Sequence, residues 1–382
     1  MNILIAPDSF KGSLTAVEFC QIAAQQIQSV KRDAHLILLP MADGGEGTID
    51  AILANVKGQR RFIQVHDPLS KIIDAQYAIL DDQHTAIIEM AYASGLPLLK
   101  PEQLNPMLAT SYGTGEIIID ALEQRCRRLI IGLGGSATND GGTGMLEALG
   151  VQFFDRDKCK IRASGQALQD IDTIDCSNMD SRLKDCEFII AGDVTNPLLG
   201  INGATSVFGP QKGADETMLP QFEAGLQNFV NKTDEILDSA QSMCSQAGSG
   251  AAGGMAYALM AYCQAIMHSG FELIADMAQL DTLLGSEKNR PDLIISGEGR
   301  FDNQSLQGKL TGRLCQRADK YQIPLVIICG TQAEDLSVNR LSQNIKLYSL
   351  SSEDISVEYS MNNTADLLKK MILNIINEHS FF

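Results

Sequence analysis

Two hydrophobic patterns alternate at both ends of the chain. Ile3–Ala6 is apolar at every position, and a polar stretch, Pro7–Ser13, leads from it into a helical period running from Leu14 to about Val30. Leu36–Leu39 begins the same cycle again, through a loop over 40–47 to a helix over Thr48–Ala54. Strands apolar on both faces, each followed by a helix, predict a parallel sheet covered on both sides. After residue 60 the texture changes. Arg61–His66, Ile72–Leu80 and Thr85–Met90 lie too close together for crossover helices, and Asp67-Pro68 and Asp81-Asp82 are turn signals between them. That spacing predicts antiparallel pairing.

The opening texture returns near residue 288. Asp292–Ser296, Pro324–Ile328 and Lys346–Ser349 read as buried strands, with helical segments near 308–321 and 364–378. The expected architecture is therefore α/β. A doubly wound parallel sheet domain, 1–60 with 288–382, is interrupted by an inserted α/β domain with a mixed sheet, 61–287. Two sequential domains divided near residue 150 are the alternative. One uncharged stretch, between Asp238 and Glu272, is long enough to raise a membrane span. It opens with Gly248–Gly254 and carries Gln264, so a buried helix is the expectation.

Glycines cluster where these strands end. Asp8–Ser13, Asp43–Thr48, Gly132–Gly142, Gly192–Pro197 and Gly297–Arg300 are five acid-bearing loops in such positions. Consecutive bare N–H groups at a helix start suit a phosphate or carboxylate, and ligands of α/β sheets gather beyond the carboxyl ends of strands. The P-loop pattern is absent, because Leu310 follows Gly308-Lys309 and position 303 is Asn303. Gly132, Gly134 and Ala137 fit a loose dinucleotide fingerprint, yet Thr138–Gly142 follows where that fold starts a helix. An NAD-dependent oxidoreductase acting on a small hydroxy acid stays open as an alternative.

Charge narrows the partners. Among 382 residues, 30 Lys and Arg face 47 Asp and Glu, a net charge of −17. Such a surface repels nucleic acid and anionic membrane. The nine cysteines are scattered singly and read as reduced thiols of a cytoplasmic protein, and Met1–Asp8 lacks the run of a signal peptide. No histidine lies in a glycine loop and no G-x-S-x-G occurs, which disfavours Ser-His-Asp or Cys-His chemistry. Phosphoryl transfer needs acids for Mg²⁺, cations for developing charge and a base. Asp8, Asp43, Asp140, Asp193 and Glu298 supply loop acids; Lys11, Lys212 and Arg300 supply cations. Taken singly, each acid is equally well an N-cap or Asx-turn, and each cation a solvated surface charge.

Several longer motifs then stand out: Ala6–Leu14 (APDSFKGSL), Pro40–Thr48 (PMADGGEGT), Thr110–Glu116, Gly132–Gly142 (GLGGSATNDGG), Asp193–Leu198, Phe208–Ala214, Gly250–Gly254 and Gly297–Arg300. In this order they resemble the bacterial glycerate kinases of the first type, from about residue 3 to about 330. Ser70 departs from the glycine common there, and the likeness weakens after Thr331. The resemblance implies a flavodoxin-like domain interrupted by a second α/β domain. It also implies phosphorylation of D-glycerate by ATP and Mg²⁺, usually at the 2-hydroxyl; the placement of the loops leads to the expectation of a site in a cleft between the domains. Asp8, Ser9 and Lys11, with Gly44, Gly45, Glu46 and Thr48, are expected to face phosphates or metal from the sheet domain. Ser136, Asn139, Asp140, Asp193, Asn196 and Lys212 are expected to do so from the inserted one. Asp193 is the first candidate for the base, and Lys212 or Arg300 for pairing the glycerate carboxylate. Asp43, Asp140 and Glu298 are the metal candidates. A catalytically silent sugar-acid-binding regulator is the other alternative, and homo-oligomerisation is left open.

Overall fold

The computed structural model describes residues 1–306, 310–333, 342–352 and 354–378. Gly308 and Lys309, at the expected start of one helix, lie outside the described residues. The chain forms two compact units. The first comprises Met1–Asp43, Asp50–Lys57 and Gly270–Phe382; the second comprises Gly44–Ile49 and Gly58–Ser269.

In the first unit five parallel strands lie in the order Ile345–Ser349, Leu325–Gln332, Leu293–Phe301, Asn2–Ile5, His35–Leu38. Numbered along the chain this is 2-1-3-4-5, the flavodoxin-like order. The helix Ala16–Val30 starts in a capping box, where Thr15 Oγ1 accepts from the Glu18 N–H while Glu18 accepts from the Thr15 N–H. Its buried stripe of Phe19, Cys20, Ala23 and Ile27 shares a core with Ile3, Ile5 and residues Ile372, Ile375 and Ile376 of the helix Thr364–Glu378.

Two sequence expectations need correction here. Leu36–Leu39 and Lys346–Ser349 are not fully buried, because His35–Leu38 and Ile345–Ser349 are the two sheet edges; Leu38 is 38% exposed. Gly297–Arg300 is not a loop. It continues the strand Leu293–Phe301, paired in register with Ile328–Thr331. Glycine at 297 is needed for packing, since a Cβ there would sit 2.6 Å from Ile328 O.

The second unit holds a six-stranded mixed sheet in the order Ile266–His268, Glu187–Ala191, Arg128–Gly132, Thr85–Glu89, Ile72–Leu80, Gly58–His66. The last three pair antiparallel, as their spacing requires, and the others parallel. A small antiparallel sheet, Gln152–Phe154 with Lys160–Ile161 and Thr173–Asp175, completes it. The uncharged stretch folds as a short 3₁₀ turn, the helix Met255–Cys263 and the strand Ile266–His268, and its helix is packed into the core. Among the described residues no helix is long and apolar enough to cross a membrane.

Candidate active site

In a 2-1-3-4-5 sheet the strand order reverses between the first and third strands, and a crevice opens at their carboxyl ends. Here those strands are Asn2–Ile5 and Leu293–Phe301, and the crevice is a cavity of about 390 Å³ lined by Asp8, Ser9, Lys11, Asp43, Glu298 and Arg300. Six of the residues singled out in the sequence thus meet within the first unit. The backbone N–H of Asp8 donates to Gly297 O at 2.8 Å, which carries the sheet register directly into the loop. Its Oδ1 accepts from the Ser9 N–H at 2.7 Å. The Phe10–Leu14 turn, with Gly12 in left-handed backbone (φ 74°), presents Lys11, whose Nζ lies 3.4 Å from Asp43 Oδ2. Glu298 Oε2 accepts from Ser305 Oγ at 3.0 Å, and Arg300 reaches Asp302 at 3.9 Å.

The carboxylates crowd one another. Desolvation pushes the Asp8 carboxyl up to about 8, and the charges of Asp43 and Glu298 add to the shift, against the Ser9 N–H and Lys11. Among the described residues no three His, Cys, Asp or Glu side chains converge tightly enough to hold a metal by themselves. The two carboxylates of Asp43 and Glu298 nevertheless fit Mg²⁺, which takes one or two carboxylates and completes its shell with substrate phosphates and water.

In the second unit the glycine loops interlock. A Cβ on Gly44 would lie 2.3 Å from Ala191 O, one on Gly132 2.6 Å from Gly44 O, and one on Gly134 2.4 Å from Gly45 Cα. Backbone fills the space that a pyrophosphate would take in a dinucleotide fold, and the helix Thr143–Ala148 begins only after Gly142, itself at φ 77°. The dinucleotide reading of Gly132–Ala137 loses its basis.

Glu89, which the sequence reading missed, explains the next loop. It ends the strand Thr85–Glu89 almost wholly buried; its Oε1 accepts from the Ile49 N–H at 2.7 Å and its Oε2 from the Gly47 N–H at 3.3 Å. The helix start expected to receive a phosphate is therefore occupied by the protein's own carboxylate. Burial pushes this carboxyl up to about 7. Thr48 is buried with its hydroxyl on Gly45 O at 2.7 Å, while Glu46 is exposed. The signal for Glu89 was present: an acid at the end of an otherwise apolar strand.

Ser136, Asn139, Asp140 and Lys212 come together as a buried network. Asp140 accepts from Ser111 N, Ser111 Oγ and Gly144 N on Oδ2 and from Gly142 N on Oδ1. Three of these four bonds fall on Oδ2, so internal donors orient the carboxylate, and Oδ1 keeps acceptor capacity. Lys212, 2% exposed, donates to Ser136 Oγ at 2.9 Å and to Thr138 O at 2.6 Å, which fastens the loop with two of the three ammonium donors. Desolvation pulls its pKa down to about 7 against the attraction of Asp140. Asn139 Nδ2 donates to Thr205 Oγ1, and no hydrogen-bond partner meets its Oδ1 among the described residues. Asp193 is half-buried just beyond the strand Glu187–Ala191, and Asn196 Nδ2 donates to Asn202 O at 2.8 Å. Ser70, standing where the resembling proteins carry glycine, does adopt left-handed backbone (φ 63°), its hydroxyl accepting from Arg162.

The glycerate kinase family model matches residues 3–380. The chain belongs to the glycerate kinase family. Glycerate 2-kinase of Escherichia coli K12 is 43% identical over 340 residues, covering 88% of this chain and 87% of that one. Glycerate kinase of Bacillus subtilis 168 is 37% identical over 375 residues, covering 98% and 97%. A crystal structure of a "putative glycerate kinase 2" from Salmonella typhimurium LT2 superposes with a TM-score of 0.82 at 37% identity, over 99% of this chain and 98% of that one. The α/β fold expected from the hydrophobic pattern, and implied by the resemblance, is borne out by this likeness.

Proposed function

We propose that this chain transfers the γ-phosphoryl group of ATP to D-glycerate with Mg²⁺, and that the 2-hydroxyl is the acceptor. The observation that carries this reading is the switch-point cavity, where Asp8, Asp43 and Glu298 share a lining with Lys11 and Arg300. Phosphoryl transfer is mostly positioning and charge neutralisation, and this cavity supplies both signs of charge around one space. Lys11 and Arg300 bind phosphoryl oxygens through charge-assisted hydrogen bonds. Asp43 and Glu298 would hold Mg²⁺, which when bound neutralises and orients the phosphates. Asp193 is the base for the acceptor hydroxyl, and the unmet Asn139 Oδ1 is polar capacity for a ligand in the second unit. The acceptor position follows the name of the Escherichia coli relative, glycerate 2-kinase.

Incubation with D-glycerate, ATP and Mg²⁺, followed by phosphorus and proton NMR of the product, tests this. A phosphorus resonance coupled to the C2 proton is expected. Coupling to the C3 protons overturns the acceptor assignment, and no phosphorylated product overturns the function.

A further inference from the structure

The switch-point cavity has two chemically different kinds of lining. One carries the charges described above. The other comes from the short helix Val357–Asn362, started by Ser356 Oγ accepting from the Tyr359 N–H at 3.1 Å. Val357 and Met361, one turn apart on that helix, line the cavity while remaining 49% and 48% exposed. Phe10 shares the lining with them. Met361 is held in place: its carbonyl accepts from Ser13 Oγ at 2.8 Å and from Thr364 Oγ1 at 3.2 Å.

We propose that this apolar wall seats the base of the nucleotide, with Val357 and Met361 against its face, and that the charged lining of the same cavity takes its phosphates. The inference rests on the phosphoryl-transfer reading and goes beyond it by giving the nucleotide, rather than glycerate, to the first unit. Three observations support it. A cavity of about 390 Å³ is the size of pockets that enclose drug-sized ligands, well beyond a three-carbon acid. A ligand matching both linings must be a polyanion with a flat apolar body, which describes a nucleoside triphosphate and not a hydroxy acid. An exposed thioether beside an exposed branched aliphatic offers soft, polarizable contact to an aromatic ring.

The test uses the full chain and two neutral substitutions, Met361→Ser and Val357→Ser, checked for unchanged thermal unfolding. ADP with Mg²⁺, inorganic tripolyphosphate with Mg²⁺, and D-glycerate are titrated separately by calorimetry. The double variant is expected to bind ADP about tenfold more weakly, the scale of a few lost apolar contacts, with tripolyphosphate and D-glycerate unchanged. Equal weakening of ADP and tripolyphosphate, unaltered ADP binding, weakened D-glycerate binding, or a parent chain that does not bind ADP would each overturn the inference. Loss of ADP affinity in a chain that never phosphorylates glycerate would sustain the base subsite and sink the function proposed above. Normal glycerate phosphorylation with ADP binding indifferent to both substitutions would do the reverse.

Discussion

The carboxylate of Glu89 lies 2.7 Å from the backbone N–H of Ile49, at the end of a strand and the start of a helix. This contact does for the loop over 44–48 what a bound anion does elsewhere: it gathers N–H groups that would otherwise point at an empty space. Removing it leaves those donors buried and unmet.

Glu89→Ala is therefore expected to cost about 2 kcal/mol of stability, measured by denaturant unfolding. Glu89→Gln keeps one acceptor and should cost less. The pH dependence has a definite sign. The folded carboxyl titrates near 7, above its unfolded value of 4.5, so the folded state holds the extra proton between these limits. Glu89, with Glu46 opposing and Arg60 favouring its charge, makes the parent lose stability as pH rises from about 4.5 to 7. Glu89→Gln should remove that part of the slope; an identical slope in the variant would refute the assignment.

Lys212 predicts the opposite trend at higher pH. Its folded pKa of about 7 lies below the unfolded 10.5, so the unfolded chain binds more protons between them. Stability should rise from pH 7 towards pH 10 relative to Lys212→Met. The variant itself should lose about 1–3 kcal/mol, because Ser136 Oγ and Thr138 O lose their buried donor. Parallel stability curves for parent and variant would count against a buried, near-neutral amine.

Gly44 and Gly47 share a φ of 88° but differ in surroundings. A Cβ on Gly44 meets Ala191 O at 2.3 Å, whereas one on Gly47 meets nothing within 4 Å. Gly47→Ala should cost about 1 kcal/mol from the left-handed backbone alone. Gly44→Ala should cost several times more, or prevent folding, because two backbones must move apart. Similar midpoints for the two variants would show that the loops do not interlock as described.

These glycines also show what the sequence made legible and what it hid. Strands, helices and the antiparallel run 61–90 followed from period and spacing, because local pattern and tertiary burial agree there. Four of the five loops were located correctly, Gly297–Arg300 being strand, but their glycines admitted two physical causes. Bare backbone welcomes a phosphate and a neighbouring backbone equally, and only the packing of Gly45, whose Cα would lie 2.4 Å from a Cβ added to Gly134, distinguishes them. Asp140 and Lys212 were legible as charges in glycine-rich settings, yet whether a charge faces a cavity or a ring of internal donors depends on contacts with Ser111 and Thr138, distant in sequence. Edge position misled the burial reading of Leu38 and Tyr348 in the same way, since sheet order is set by long-range pairing.

The central claim is that the charges gathered at the switch point serve phosphoryl transfer to glycerate. Coupled measurement of ADP release, with and without D-glycerate in ATP and Mg²⁺, tests it most directly when parent and Lys11→Ala are compared. The parent should release ADP only when D-glycerate is present, and Lys11→Ala, exposed enough to fold normally, should lose about a hundredfold or more of kcat/KM. Glycerate-independent release by the parent, or a variant as fast as the parent, would contradict the account.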